Sequence, residues 1–318
     1  MPDITNAEVK GIASGVALIL ALFGMAVNLP IFGLFFAVLI PLPVWFYHQK
    51  LGNNRGLMVA AIAALVVYLI IGRLGVDLIF FSELMFIGIL LSSLFGKNLP
   101  VEIVMGMTCL AVLGSGTAGL ILYSFSLGQG LGSIVSVSLM QVLELTVVLY
   151  KSAGMSEDTV KLLADSLGQI HYVLVRIMPS LVAAMVLLVI WVNILASRPL
   201  FLVKNMPFAT TGPLNRWQAP EFLIWIVIGC GGALLIPSNG LNMIGFIGLN
   251  GMIVLMMIYF FQGIAIVSFY FNKKQFSKAA KLVFYGLIAL QQLLLFVVIG
   301  LGFFDTWVDF RKLTKKAG

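Results

Sequence analysis

Residues 177–197 read IMPSLVAAMVLLVIWVNILAS, a run with no charged side chain. An α-helix rises about 1.5 Å per residue and a bilayer's hydrocarbon core is about 30 Å thick, so a run of this length predicts one membrane-spanning helix. Its flanks differ from each other. On the N-terminal side, Ser156-Glu157-Asp158 opens a stretch that closes at Arg176, with Val160, Leu163, Leu167, Ile170 and Leu174 recurring at helical spacing. Ser156 suits an N-cap, and the two acids fall in the first turn, where the helix dipole favours them. This predicts one amphipathic helix lying on the interface or against a bundle, with a protein-partner surface as the alternative. On the C-terminal side, Pro199, Pro207 and Pro213 predict an irregular segment over 198–219, because proline lacks the N–H that a helix interior needs.

Outward from this run, the whole chain has the same oily character. Of 318 residues, 61% are hydrophobic and 10% charged, and the mean hydropathy is +1.10. Soluble domains are about 45–50% apolar and about a quarter charged. That excess rules out a soluble enzyme, a disordered chain and a disulfide-stapled secreted module. The net charge of +7 falls on connecting segments, which suits anionic head groups; no basic-aromatic interleaving points to nucleic acid. Met1 to Lys10 carries Asp3 and Glu8 against one lysine, the wrong charge for a cleavable signal, so the first apolar segment is expected to stay as an anchor.

Further apolar runs cover 11–27, 31–47, 56–72, 78–95, 103–127, 131–150, 220–237, 241–271 and 282–304. Pro41 and Pro43 break the second, so the first two form a tight hairpin or one broken element. The fold expected is all-α, a polytopic transmembrane helical bundle of about eight to ten spans with one amphipathic interfacial helix. Three regions follow: an N-terminal helical half over 1–127, a semi-polar and amphipathic segment over 128–176, and a C-terminal half over 177–318 with basic loops and a charged tail. The loops 198–216 and 273–281 hold Arg198, Lys204, Arg216, Lys273, Lys274, Lys278 and Lys281. Two spans separate them, which puts both on one face, most simply the cytoplasmic one. A single last span would then carry Arg311, Lys312, Lys315 and Lys316 to the far side, so one counted segment is re-entrant or one uncounted segment crosses.

An ionised group inside hydrocarbon costs at least about 2.5–3.5 kcal/mol and needs a reason. Glu83 lies among Phe80, Phe81, Met85 and Phe86, and Glu144 lies inside 131–150. Each is either a ligand for a proton, a cation or a polar molecule, or a glutamate that reaches water or stays neutral with a structural hydrogen bond. Asn193, Asn239, Asn242, Asn250, Gln262, Gln291 and Gln292 interrupt later runs, as glue between helices or as the lining of a polar cavity. Gly245, Gly248 and Gly251 permit close backbone approach, useful to either. Gly114-Ser115-Gly116-Thr117-Ala118-Gly119 lacks the lysine of a phosphate loop and reads as helix packing. Cys109 and Cys230 stand apart in apolar runs, and His48 and His171 are the only histidines. No metal site, cofactor or catalytic motif is expected.

The tail, Leu301-Gly302-Phe303-Phe304-Asp305-Thr306-Trp307-Val308-Asp309-Phe310-Arg311-Lys312, predicts an interfacial anchor built on Asp305, Trp307, Asp309 and Arg311, with either acid able to pair with Arg311 or Lys312. This tail, with Phe260-Phe261-Gln262-Gly263-Ile264-Ala265 and with Trp191-Val192-Asn193 ahead of Arg198, resembles the YybS-like family of bacterial multi-pass membrane proteins. The resemblance covers nearly the whole chain. It implies a helical bundle in the bacterial inner membrane and carries no catalytic residues. More weakly, the first 125 or so residues, through Leu42-Pro43-Val44, the 52–56 turn and the glycines of 72–75, are similar to substrate-capture subunits of energy-coupling-factor transporters. That likeness implies a small-molecule cavity and a partner ATPase.

Two functions remain open at this level. In the first, the bundle binds or moves a small molecule, with Glu83, Asn193, Asn242, Asn250 and Gln262 lining one cavity and energy supplied by a partner or an ion gradient. In the second, it is a non-transporting scaffold or regulator that docks protein partners or anionic lipid. The two differ in a visible way: one shared cavity, or polar residues scattered singly over helix contacts.

Overall fold

The computed structural model describes residues 5–29, 32–204, 206, 212–236 and 243–313. Over these residues the chain is all-α and without strands. The helices are α1 (Asn6–Asn28), α2 (Gly33–Val38), α3 (Pro41–Leu51), α4 (Asn53–Ile71), α5 (Val76–Phe95), α6 (Val101–Leu127), α7 (Leu131–Ser152), α8 (Glu157–Val203), α9 (Leu223–Leu235), α10 (Met243–Lys273), α11 (Lys278–Leu290) and α12 (Gln292–Val308), with a 3-10 turn at Leu214–Arg216. With α2 and α3 counted as one element, 8 helices are long and apolar enough to cross a membrane, or 9 when the bent pair α11 and α12 counts as one span. The polytopic helical bundle anticipated from hydropathy is therefore the fold.

Four local readings change. The amphipathic stretch and the 177–197 span are one 47-residue helix, α8, which runs through both Pro179 and Pro199. The turn beyond Pro199 persists because Phe201 is wholly buried, 5.4 Å from the Trp45 ring. The apolar run 220–237 supplies only the 13 residues of α9, too short to cross alone. The last run is broken by a 102° bend between α11 and α12. The break falls at Gln291, whose extended backbone (φ −102°, ψ 107°) separates the two helices.

In lipid, helices gain nothing hydrophobic by meeting, so close packing and hydrogen bonds must hold them. α1 runs alongside α4, tied by the Glu8–Arg55 ion pair and by Gly15 against Val59. α5 and α6 are antiparallel, with Glu83 beside Ser115 and Ile79 beside Gly119. A continuous core takes Trp45, Phe95 and Met105 from the first half and Ile190, Trp191, Phe201 and Phe261 from the second. The rings of Trp191 and Phe261 stack 4.9 Å apart.

The later half of α8 and α10 run parallel, since Asn250 meets Arg176 and Ser180 while Phe261 meets Trp191. Lys204 after one and Lys274 after the other therefore stand at the same end of the bundle. α12 crosses α10 at two glycines. A methyl group added at Gly302 would strike the Tyr259 carbonyl, and one at Gly263 the Val298 carbonyl.

α7 and the early half of α8 form a hairpin beyond this packed body. Ser136 meets the His171 ring at 3.1 Å near its base, and Ser156 caps α8 by accepting from the Thr159 amide. No described residue of α7 is buried. At about 1.5 Å per residue α8 is about 70 Å long, more than twice the hydrocarbon thickness. Its buried residues all lie between Ser180 and Phe201, so the later half is the part set into the bundle.

Candidate functional site: polar joints between helices

The most developed polar cluster is closed by the turn after α12. Asp309 takes the left-handed conformation (φ 43°) as the C-cap of that helix, one that short polar side chains tolerate better than most. Its N–H bonds the Asp305 carbonyl at 3.0 Å, which folds Phe310 and Arg311 back over Asp305. The Asp305 carboxylate then accepts three bonds: from Arg311 Nη2 at 2.7 Å, Phe310 N at 2.9 Å and Gln262 Nε2 at 3.1 Å. Arg311 Nη1 donates to the carbonyls of Asn215 and Trp217, each at 2.9 Å, and Gln262 Oε1 accepts from Ala219 N. The Tyr270 hydroxyl closes the outside on Phe310 O at 2.7 Å.

Both charged side chains of this pair are fully enclosed, each with 0% exposure. Burying two charges costs several kcal/mol per ion, repaid only when geometry is good and the remaining lone pairs and protons are satisfied. Here three parts of the chain contribute: the 215–219 segment, Gln262 of α10 and the end of α12. The arrangement works as a clamp joining them. Of the pairings open to the tail, Asp305 with Arg311 is formed. Their placement differs from the expected bilayer-surface anchor, because the Asp309 turn aims Arg311 inward to backbone carbonyls. Trp307 is 56% exposed, and Asp309 caps its own turn, its Oδ1 accepting from Leu313 N.

Four of the five residues expected to line one cavity lie at separate joints, and Asn242 is outside the described residues. Glu83 of α5 is half-buried and accepts from the Ser115 hydroxyl of α6 at 2.8 Å, with Gly116 making room beside its side chain. Asn193 of α8 is fully buried and donates to Val38 O beyond its own helix and to Val189 O within it. Gln262 belongs to the Asp305 cluster. Glu144 is exposed on α7.

Asn250 makes the most informative joint. Its Nδ2 donates to Arg176 O at 3.0 Å, and its Oδ1 accepts from Ser180 N at 3.3 Å. In a regular helix those two backbone groups bond each other, i to i−4, and they flank Pro179, which carries no N–H and weakens this turn. One side-chain amide from α10 thus serves both groups at the proline of α8. Beside it lies a groove of about 660 Å³ lined by Tyr172, Arg176, Pro179, Met243, Phe246, Ile247 and Asn250. The Arg176 guanidinium stacks 3.5 Å above the Tyr172 ring. Glu83, Asn193 and Gln262 take no part in that groove.

Sequence reasoning treated Arg176 as a boundary, and only its place as the last charge before 177–197 marked it. It gives no role to Asn215 or Trp217, whereas Ser115 falls in the 114–119 run read as helix packing, the kind of contact it makes with Glu83. Among the described residues, no three of His, Cys, Asp and Glu stand close enough together to hold a metal ion.

A bundle of apolar helices joined by buried polar pairs defines a multi-pass integral membrane protein. The chain belongs to the family described as predicted membrane protein (DUF2232), which it matches over residues 17–306. It is 22% identical over 278 residues to the Bacillus subtilis (strain 168) protein called Uncharacterized protein YybS, an alignment covering 84% of this chain and 86% of that protein. No solved structure matches it.

Proposed function

We propose that this chain is a non-transporting scaffold or regulator of the bacterial inner membrane, non-enzymatic, which docks protein partners or anionic lipid through the α7–α8 hairpin and the surface at its base. The observation that carries the reading is the dispersal of the polar residues. Glu83, Asn193, Asn250 and Gln262 each satisfy a different helix contact, where a carrier would bring such groups together around a ligand. The hairpin supports the other half of the reading: α7 has no buried residue, yet Val142, Leu145, Val148 and Leu149 are exposed along it. An apolar face of that size on a packed protein marks contact with lipid or a partner.

The test is a thermal-shift screen of small metabolites on the purified full-length protein, in parallel with Glu83→Gln. No stabilisation by any metabolite, with Glu83→Gln unfolding near the wild-type temperature, is the expected result. A metabolite that stabilises the wild type and loses its effect in Glu83→Gln would overturn the reading in favour of small-molecule binding or transport, with energy from an ATPase partner or an ion gradient.

A further inference from the structure

The groove at the base of the hairpin has a polarity that selects its occupant. One wall is apolar, made by Met243, Phe246 and Ile247 at the start of α10 with Pro179 of α8. At its edge stands Arg176, exposed to solvent, with its guanidinium carbon 3.5 Å from the Tyr172 ring centre and 5.4 Å from that of Phe246. Nη1 donates to Tyr172 O at 3.0 Å. A guanidinium has five N–H donors, and no carboxylate among the described residues forms an ion pair with this one. The ring and the Tyr172 carbonyl hold the head in place, while Asn250 holds its backbone carbonyl. The cation is therefore positioned in advance and its charge is left unanswered.

The level of the groove along the helices matters as much as its lining. Arg176 is the last charge before the uncharged stretch 177–197, and α10 carries no charge from Met243 until Lys273. The guanidinium thus stands where the chain enters hydrocarbon, at head-group depth. Because Asn250 is level with Arg176 and Ser180 in the parallel pair, Met243 and Phe246 lie toward the outer side of the groove, Ile247 level with the cation and Pro179 on the hydrocarbon side. We propose that this groove is a binding site for an anionic phospholipid: the phosphate takes the free N–H donors of Arg176, and the first acyl carbons lie along Ile247 and Pro179. Arginine matches phosphate through paired N–H bonds, and a free phosphate ion would leave the apolar wall uncovered. The site rests on the docking reading above and names the lipid partner of one surface.

The experiment uses delipidated full-length protein in detergent, titrated with short-chain phosphatidylglycerol, short-chain phosphatidylcholine, or inorganic phosphate alone, and read by thermal unfolding and by native mass spectrometry of retained lipid. The expected result is tighter binding of phosphatidylglycerol than of phosphatidylcholine, and little protection by phosphate. Arg176→Gln should weaken phosphatidylglycerol binding about fivefold, the scale of one basic side chain at a charged membrane surface, with phosphatidylcholine binding unchanged. Ile247→Asp, which places a carboxylate in the exposed wall and leaves Arg176 in place, should remove the same preference and serves if Arg176→Gln fails to fold. Lys278→Gln, an exposed charge elsewhere, should leave it intact.

Equal binding of the two lipids, equal loss in Lys278→Gln, or protection by phosphate alone as strong as by phosphatidylglycerol would each overturn the site. Those failures would leave the metabolite screen unaffected, so they are distinguishable from failure of the scaffold reading.

Discussion

Arg311 and Asp305 lie six positions apart and meet at 2.7 Å with neither side chain exposed. Such a pair is weak evidence for net stability, yet breaking it is severe, because the partner left behind is a buried lone charge. Arg311→Met should destabilise the protein by about 3–5 kcal/mol, measured by thermal or denaturant unfolding in detergent. The double variant Asp305→Leu/Arg311→Met should recover part of that loss, since no charge then remains unpaired. A single variant within 1 kcal/mol of wild type would show that the pair does not clamp these elements together.

The two glycines at the crossing of α10 and α12 predict a sharp positional contrast. Gly302→Ala sets a methyl against the Tyr259 carbonyl, so the helices must separate, at a cost of about 1–3 kcal/mol or more. Gly300→Ala, with nothing within 4 Å of the new carbon, should be neutral or stabilising by up to about 1 kcal/mol, since alanine is the better helix former. Comparing the unfolding temperatures of these two variants checks the packing directly, and equal effects would mean the helices do not touch there.

Asn250 and Pro179 should be coupled. Removing the amide by Asn250→Ala strips a partner from Arg176 O and Ser180 N, and hydrogen exchange at the Ser180 amide should speed up. In a Pro179→Ala background the regular helix turn returns, and Asn250→Ala should then matter less. The expected interaction energy is about 0.5–2 kcal/mol in a double-mutant cycle. Simple additivity would mean the amide does not serve the proline turn.

The Glu83 and Ser115 side chains form the bond between α5 and α6. Ser115→Ala should cost about 1–3 kcal/mol, the range for leaving a buried or charged acceptor without its donor. In a Glu83→Leu background the same change should be nearly silent. Unfolding midpoints of the four proteins test this, and an equal cost in both backgrounds would detach Ser115 from Glu83.

The membrane class and most span positions were legible because lipid demands length and apolarity, and both can be read from runs such as 177–197. The errors have a common physical origin. Three prolines predict an irregular segment from 198, but a helix tolerates a missing bond when burial holds the next turn, as Phe201 does. Hydropathy alone made 282–304 one span and left the glutamines at 291 and 292 as interruptions; the 102° bend falls there. The polar residues stand out in the sequence as glue between helices or as one cavity lining, and the hydrogen bonds put Glu83, Asn193, Asn250 and Gln262 at separate helix contacts. Nothing in a single sequence tells that Arg311 reaches Asn215 O, 96 positions away, or that Glu83 and Asn250 answer to different helices.

The clamp around Asp305 also has an order of manufacture. Asn215, Trp217, Ala219, Gln262 and Asp305 all precede Arg311 in the chain, so during translation they leave the ribosome before the cation that answers them. Until that arginine emerges, the nascent bundle holds an unanswered anion among its nearly finished helices. Ribosome-bound intermediates stalled just short of Arg311 should therefore stay open to proteases in the 212–222 region, and release of one further turn of chain should close it.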